Sequence, residues 1–159
     1  RRFGECIDPG RTYRDRPGAY GVILHGREAL VTEQTHPRHE FQLPGGGVDP
    51  GEGPVRALHR ECLEETGWRI QILRRLGAFQ RYCHMPEYEI WARKVCHIYL
   101  GRPVLRRGAP ADPAHRAVWM PVETAADLLA VEGDRHFLRL ALRTEPIRQS
   151  RLVHSRVLI

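Results

Sequence analysis

Five acidic side chains crowd into "LPGGGVDPGEGPVRALHRECLEETGW", residues 43–68, of a chain that is otherwise basic. Three of them, Glu61, Glu64 and Glu65, fall at a spacing that puts Glu64 and Glu65 within about 60° of Glu61, one on each side, on a helix turning about 100° per residue. Glu64 and Glu65 also stand just before Gly67, the residue expected to end that helix. Carboxylates there face the negative end of the peptide dipole, a cost of about 0.3–1 kcal/mol each when exposed. Grouped carboxylates at an unfavourable helix end suit one task, holding a hard cation through oxygen. The plain alternative is a solvated acidic face, because exposed like-charge neighbours cost only about 0.2–0.5 kcal/mol per pair.

Gly45, Gly46 and Gly47 lie shortly ahead of the helix. Lacking a Cβ, they let the backbone approach the carboxylates and turn a carbonyl toward a shared cation. Mg²⁺ commonly takes one or two carboxylates together with substrate phosphate oxygens. No Gly-Lys-Ser/Thr follows, so these glycines are not a loop that cradles phosphate directly. The glutamates would hold the cation, and the cation the phosphate. Arg60 lies four residues before Glu64 and four after Arg56, which itself follows Glu52 by four. These pairings are either surface ion pairs of small worth or a device in which Arg60 orients a ligand carboxylate.

Gly46, Glu52 six residues on, and "RECLEETGW" from Arg60 to Trp68 match the 23-residue signature box of the Nudix hydrolases. The box prefers aliphatic residues where this chain has Cys62 and Trp68, and both remain apolar. The resemblance, carried over about residues 15–143, implies an α/β/α sandwich with a mixed central sheet. It also implies Mg²⁺- or Mn²⁺-dependent hydrolysis of a nucleoside diphosphate linked to another moiety. By position, Glu61, Glu64 and Glu65 would be metal ligands together with the Gly45 carbonyl, and Glu52 and Arg60 would support them. Glu52, Arg60, Glu61 and Glu65 form the expected catalytic set, and the group that takes the proton from water stays open.

The same resemblance points to one more acidic metal ligand in a loop before a Trp-x-Pro strand. In "PADPAHRAVWMPVE" that is Asp112, with His115 as a weaker candidate; a turn residue before Pro113 is the alternative reading of Asp112. Glu87 and Glu89 in "MPEYEIW" are substitutes or a polar hairpin tip. Arg38, Arg81 and Lys94 are candidates for substrate phosphates, and Tyr82, Tyr88 and Trp91 for stacking on a base. Each has an ordinary surface or sheet role as its alternative. Two further functional readings stay beside the hydrolase: a nucleotide sensor without turnover, and action on the 5′ end of RNA.

The elements that must position these residues follow from local pattern. Pro54 suits a first helical position and Gly67 a stop, giving a helix over 54–66. Val55, Leu58 and Cys62 mark its buried stripe. Strands are expected at about 19–25 and 29–33, then "FQL", and two long ones around the "MPEYE" turn. "RAVWMPV" reads as one more strand. "ETAADLLA" and "DRHFLRLALR" read as helices, the second with Phe137, Leu138, Leu140 and Leu142 as core. Residues 1–14 form an N-terminal extension, and 144–159 a tail without clear period. Elements mixed in this order imply one α/β domain.

With 159 residues and 42% apolar content the chain can bury a core unaided. No apolar run approaches the ~18–20 residues of a membrane span. The net charge is +6, and Lys94 is the chain's only lysine. A basic balance favours anionic partners or reflects an arginine-rich composition. Residues 43–68 carry five acids against two arginines, an acidic island suited to a cation that in turn holds an anion. Cys6, Cys62, Cys83 and Cys96 show no C-x-x-C pairing and read as free, mostly buried thiols of a cytoplasmic protein. Cys83 and Cys96 fall where a hairpin could bring them face to face, a closeness that sequence alone does not establish. The start lacks both Met and a signal-like apolar stretch, which leaves a removed targeting segment open.

Overall fold

The computed structural model describes residues 1–36 and 38–144, so residues 145–159 of the expected tail lie outside the described residues. Its first long helix, α1 (Pro54–Thr66), has the bounds that the local signals predict. Proline lacks the N–H that a first helical turn leaves unused. Gly67 ends the helix at φ 73°, returning its N–H to the Leu63 carbonyl at 2.9 Å.

The buried face of α1 corrects the expected stripe. Ala57, Leu58 and Cys62 are fully buried, whereas Val55 is 45% exposed. The face is rotated away from Val55 by roughly 70°, toward Glu61 and Glu65. Glu65, only 8% exposed, is therefore part of the buried face rather than its neighbour. Leu58→Ala is expected to cost about 2–5 kcal/mol in urea unfolding, and Val55→Thr no more than about 0.5 kcal/mol.

Among the described residues nine strands build one mixed sheet: β1 (Arg2–Gly4), β2 (Arg14–Asp15), β3 (Gly18–His25), β4 (Glu28–Gln34), β5 (Glu40–Gln42), β6 (Gly45–Gly47), β7 (Trp68–Met85), β8 (Ile90–Arg106) and β9 (His115–Pro121). The main path runs β1-β7-β8-β3-β4-β5, with β2 on β8, β6 on β3 and β9 on β4. β7 and β8 form a long antiparallel hairpin, and β3 lies parallel to β8. A short 3₁₀ turn, Pro86–Tyr88, makes the tip of that hairpin.

Two cores lie on the two faces of the sheet. α1 covers one through Leu58 and Cys62, packed with Ala19, Ile23, Leu30 and Tyr99. On the other, α2 (Val122–Leu128) and α3 (Glu132–Thr144) pack with Val22, Val31, Phe79 and Ile98. Phe137, Leu138 and Ala141 supply the fully covered side of α3; Leu140 and Leu142, expected in the same set, are only partly buried. Helices on both faces of a mixed sheet make the α/β/α layering that the resemblance implies.

Residues 1–16 join this layering. β1 pairs parallel with β7, and β2 with β8. Between them Arg11 lies over the Trp91 ring at 3.7 Å and Tyr13 meets Tyr82 edge-on at 4.8 Å, while Arg16, just after β2, covers Tyr88 at 4.4 Å. The three rings considered for base stacking are thus engaged by this chain's own residues. Cys83 and Cys96 do not face each other, because the hairpin register sets Cys83 opposite Ala92 and Cys96 opposite Phe79. All four thiols are free, and Cys6 is exposed rather than buried. No helix among the described residues is long and apolar enough to cross a membrane.

Candidate metal centre and the neighbouring cavity

β6 carries the three glycines across one end of α1 by pairing antiparallel with the start of β3, Gly45 opposite Tyr20 and Gly46 opposite Ala19. Gly45 needs to be glycine for backbone reasons: its φ is +140°, and a Cβ there would stand 2.1 Å from the Ala19 carbonyl oxygen. Gly46 needs to be glycine for a different reason. A Cβ there would stand 2.5 Å from the carboxyl carbon of Glu61.

The Gly45 N–H donates to Glu65 Oε2 at 2.9 Å. Burial, with Glu61, Asp112 and Glu64 adding like charge, pushes the Glu65 carboxyl up to about 8 despite that bond. Burial likewise raises Glu61, with Arg60 opposing it. Glu64 lies further out, its side chain half exposed.

Arg60 binds this group together. Its Nε and Nη2 donate to the two Glu52 oxygens at 3.1 and 2.9 Å, and Nη2 also reaches the Gly47 carbonyl at 3.0 Å. Its Nη1 donates to Glu61 Oε1 at 2.7 Å and lies 3.5 Å from Glu64 Oε2. A planar fork makes these contacts at once where an ammonium would not. The Asp49 N–H donates to Glu52 at 3.2 Å, tying the loop to the same fork.

The loop before β9 closes the other side. The N–H groups of Ala111 and Asp112 donate to the Glu64 carbonyl at 2.7 and 3.3 Å, capping an otherwise open helix end. His115 Nδ1 lies 2.8 Å from Asp112 Oδ2, and its Nε2 lies 3.6 Å from Glu65 Oε1. The Ala114 N–H and His115 hold Asp112 below the usual carboxylate range. Both candidates from this loop are thus beside α1. Glu87 is not: it is exposed on the hairpin tip, and the neighbouring Glu89 turns that tip at φ 51°.

Among the described residues no three carboxylate, imidazole or thiol groups are gathered at ligand spacing around one point. Arg60 takes up part of the charge of Glu61 and Glu64 instead. The donor chemistry nevertheless fits a hard divalent cation. The candidate side-chain ligands on α1, Glu61, Glu64 and Glu65, are all carboxylates, and burial and crowding raise two of them. A second positive charge would relieve that crowding.

A cavity of about 200 Å³ lies beyond the Gly45–Tyr20 pair, on the face that α3 covers. Arg81 and Lys94, opposite each other in the β7–β8 register, both line it. So do Tyr20 and Asp134, neither of them anticipated from sequence. Asp134 reads there as an ordinary acid in the first turn of a helix, and only the docking of α3 on the sheet makes it a buried group, 3% exposed. Arg38 is exposed in the β4–β5 loop and is not among the residues that line the cavity.

A CMP-5′-(N-acetyl-N-hydroxy-3-aminopropyl)phosphonate hydrolase of Streptomyces rubellomurinus is 36% identical over 122 residues, 71% of this chain and 55% of its own length. An 8-oxo-(d)GTP phosphatase of Mycolicibacterium smegmatis is 30% identical over 128 residues, 80% of this chain and 38% of its own length. The chain thus spans about half the length, or less, of these relatives. In fold it is similar to a NUDIX hydrolase from Nitrosomonas europaea, with TM-score 0.64 at 19% identity, over 79% of this chain and 87% of that one. The family model of the NUDIX domain matches residues 15–141, four-fifths of the chain and every group around α1 described above: the chain belongs to the NUDIX domain family.

Proposed function

We propose that the chain is a metal-dependent pyrophosphohydrolase that cleaves the diphosphate linkage of a nucleoside diphosphate joined to another moiety. The observation that carries this reading is the crowding of Glu61, Glu64 and Glu65 around one helix end, with burial raising two of them. Both relatives named above act, by name, on nucleotides.

In this reading Glu61, Glu64, Glu65 and the Gly45 carbonyl hold Mg²⁺ or Mn²⁺. When bound, such an ion polarises the diphosphate, lowers the pKa of coordinated water and offsets charge on the leaving phosphate. Arg60 fixes the Glu61 rotamer and is itself fixed by both oxygens of Glu52. Asp112 orients His115 beside Glu65, and the two give that carboxylate its outer neighbours. Gly46 supplies the space that Glu61 occupies.

Asp112→Ala is expected to lower turnover about 10–100-fold, the usual loss for a group that orients metal ligands. Glu87→Ala is expected to stay within about threefold of wild type, since its carboxylate is exposed to solvent at the hairpin tip. Steady-state kinetics of the two variants decide the point, and a large loss in Glu87→Ala alone would place the wrong loop at the site.

A hydrolysis screen tests the function itself. It takes nucleoside triphosphates, nucleotide sugars, dinucleoside polyphosphates and 5′-triphosphorylated RNA, each with Mg²⁺, with Mn²⁺ and with chelator. Cation-dependent release of a nucleoside monophosphate from at least one small-molecule class is expected. Cleavage of the RNA alone would favour the 5′-end reading, and binding without cleavage the sensor.

A further inference from the structure

The cavity beyond Tyr20 holds an unusual set of charges for the inside of a sheet. Lys94, the only lysine of the chain, donates to the Tyr20 hydroxyl at 2.9 Å. An ammonium has three N–H donors, and no second hydrogen bond from Lys94 occurs among the described residues. Arg81 stands opposite with five donors, the Cys83 thiol among its electrostatic neighbours. Neither cation forms an ion pair within 4 Å with a carboxylate of the described residues. Asp134 is the one buried acid of the cavity lining, and its own bond, from the Leu43 N–H, is long at 3.5 Å. Glu87 lines the cavity as well, from the exposed hairpin tip.

The enclosed part of the lining therefore sets two half-buried cations against one buried acid, an excess of positive charge, since the second acid, Glu87, is exposed at the tip. Burying such an excess is costly unless a ligand answers it. At about 200 Å³ the space is below the roughly 300–1,000 Å³ that takes a whole drug-sized ligand, so it suits one end of a larger molecule. Its position suits the same division. Tyr20 lines the cavity, and Gly45, its cross-strand partner, bonds Glu65.

We propose that this cavity selects diphosphate compounds whose remaining moiety carries an anionic group, a carboxylate or a phosphate, held by Lys94 and Arg81. The proposal rests on the pyrophosphohydrolase reading for the diphosphate, and adds to it a preference that the carboxylates on α1 do not create. Asp134 opposes the anion, so the selectivity depends on both cations acting together.

Two matched pairs test it. UDP-glucuronate against UDP-glucose places a carboxylate on the sugar, and NADP⁺ against NAD⁺ places a phosphate on a nucleoside. Binding is measured by calorimetry in chelator, where no turnover occurs, and hydrolysis separately with Mg²⁺. The anionic member of at least one pair is expected to bind about tenfold or more tightly than its neutral partner, as charge-assisted hydrogen bonds imply. Arg81→Gln and Lys94→Gln should each bring that ratio toward one.

Tighter binding of the anionic member without hydrolysis of any compound would keep the cavity assignment and remove the hydrolase reading. Equal or weaker binding of the anionic member in both pairs, or no measurable binding of any, would overturn the proposal. So would a ratio that survives in both variants. Hydrolysis of the neutral members would then leave the activity standing with a pocket for an uncharged group.

Discussion

Glu65→Gln is expected to cut turnover on the order of 10³-fold, the equivalent of about 4 kcal/mol, while the metal-free protein melts at a higher temperature than wild type. The two effects share one cause. Glu65 is 8% exposed and its carboxyl is pushed up to about 8, mainly by burial and then by Glu61, Asp112 and Glu64. A carboxylate in that position destabilises the empty fold, because ionising it there forfeits hydration. The amide has the same shape and can still accept the Gly45 N–H, so the helix and β6 remain joined. What it cannot do is offer a full negative charge to a cation. A variant that melts higher yet turns over slowly cannot be explained by unfolding. Turnover near wild type would remove Glu65 from the site, whatever the melting temperature did.

Neighbouring glycines should fail in opposite ways. In Gly46→Ala the new methyl meets the carboxyl carbon of Glu61 at 2.5 Å. That carboxylate ends a flexible side chain, so it moves away, and stability should change by no more than about 1 kcal/mol. Moving it breaks the 2.7 Å bond from Arg60, and displacement of about 1 Å at a reacting centre can cost 10²-fold in rate. In Gly45→Ala the methyl meets backbone, the Ala19 carbonyl oxygen at 2.1 Å and the Tyr20 Cα at 2.7 Å, at φ +140°. Neither can yield cheaply, and a loss of about 3 kcal/mol or more is expected. Urea unfolding and steady-state rates on both variants separate the two roles. Full activity in a folded Gly46→Ala would mean that the position of Glu61 does not matter.

These residues were legible in the sequence because their signals are local. Pro54 and Gly67 bound α1 within one short stretch, and the spacing of Glu52, Arg60, Glu61, Glu64 and Glu65 lies wholly inside it. What that stretch cannot tell is how α1 turns against the sheet. The wheel placed the three glutamates side by side, yet β6 covers one flank and leaves Glu65 buried while Glu64 stays half exposed. Val55 was misplaced for the same reason.

The cavity was hidden by distance along the chain. Arg81 and Lys94 were recognised singly as phosphate candidates, but their meeting depends on the β7–β8 register, which shifts at three places. Asp134 arrives from α3, and Tyr20 from β3 through its parallel pairing with β8. Residues 1–16 carry no period that marks a strand, although β1 pairs over only three residues and Arg11 and Arg16 find aromatic rings far along the chain.

The central claim is that the carboxylates of α1 hold a divalent cation, and electron paramagnetic resonance of Mn²⁺ tests it directly. Free Mn²⁺ is titrated with wild-type protein and with the Glu61→Gln/Glu65→Gln double variant, at equal concentration and without substrate. Wild type should quench the free-ion signal at one or more ions per chain, and the double variant should leave it nearly unchanged while retaining its helical circular dichroism. Equal quenching by both proteins would place the cation elsewhere and contradict the account.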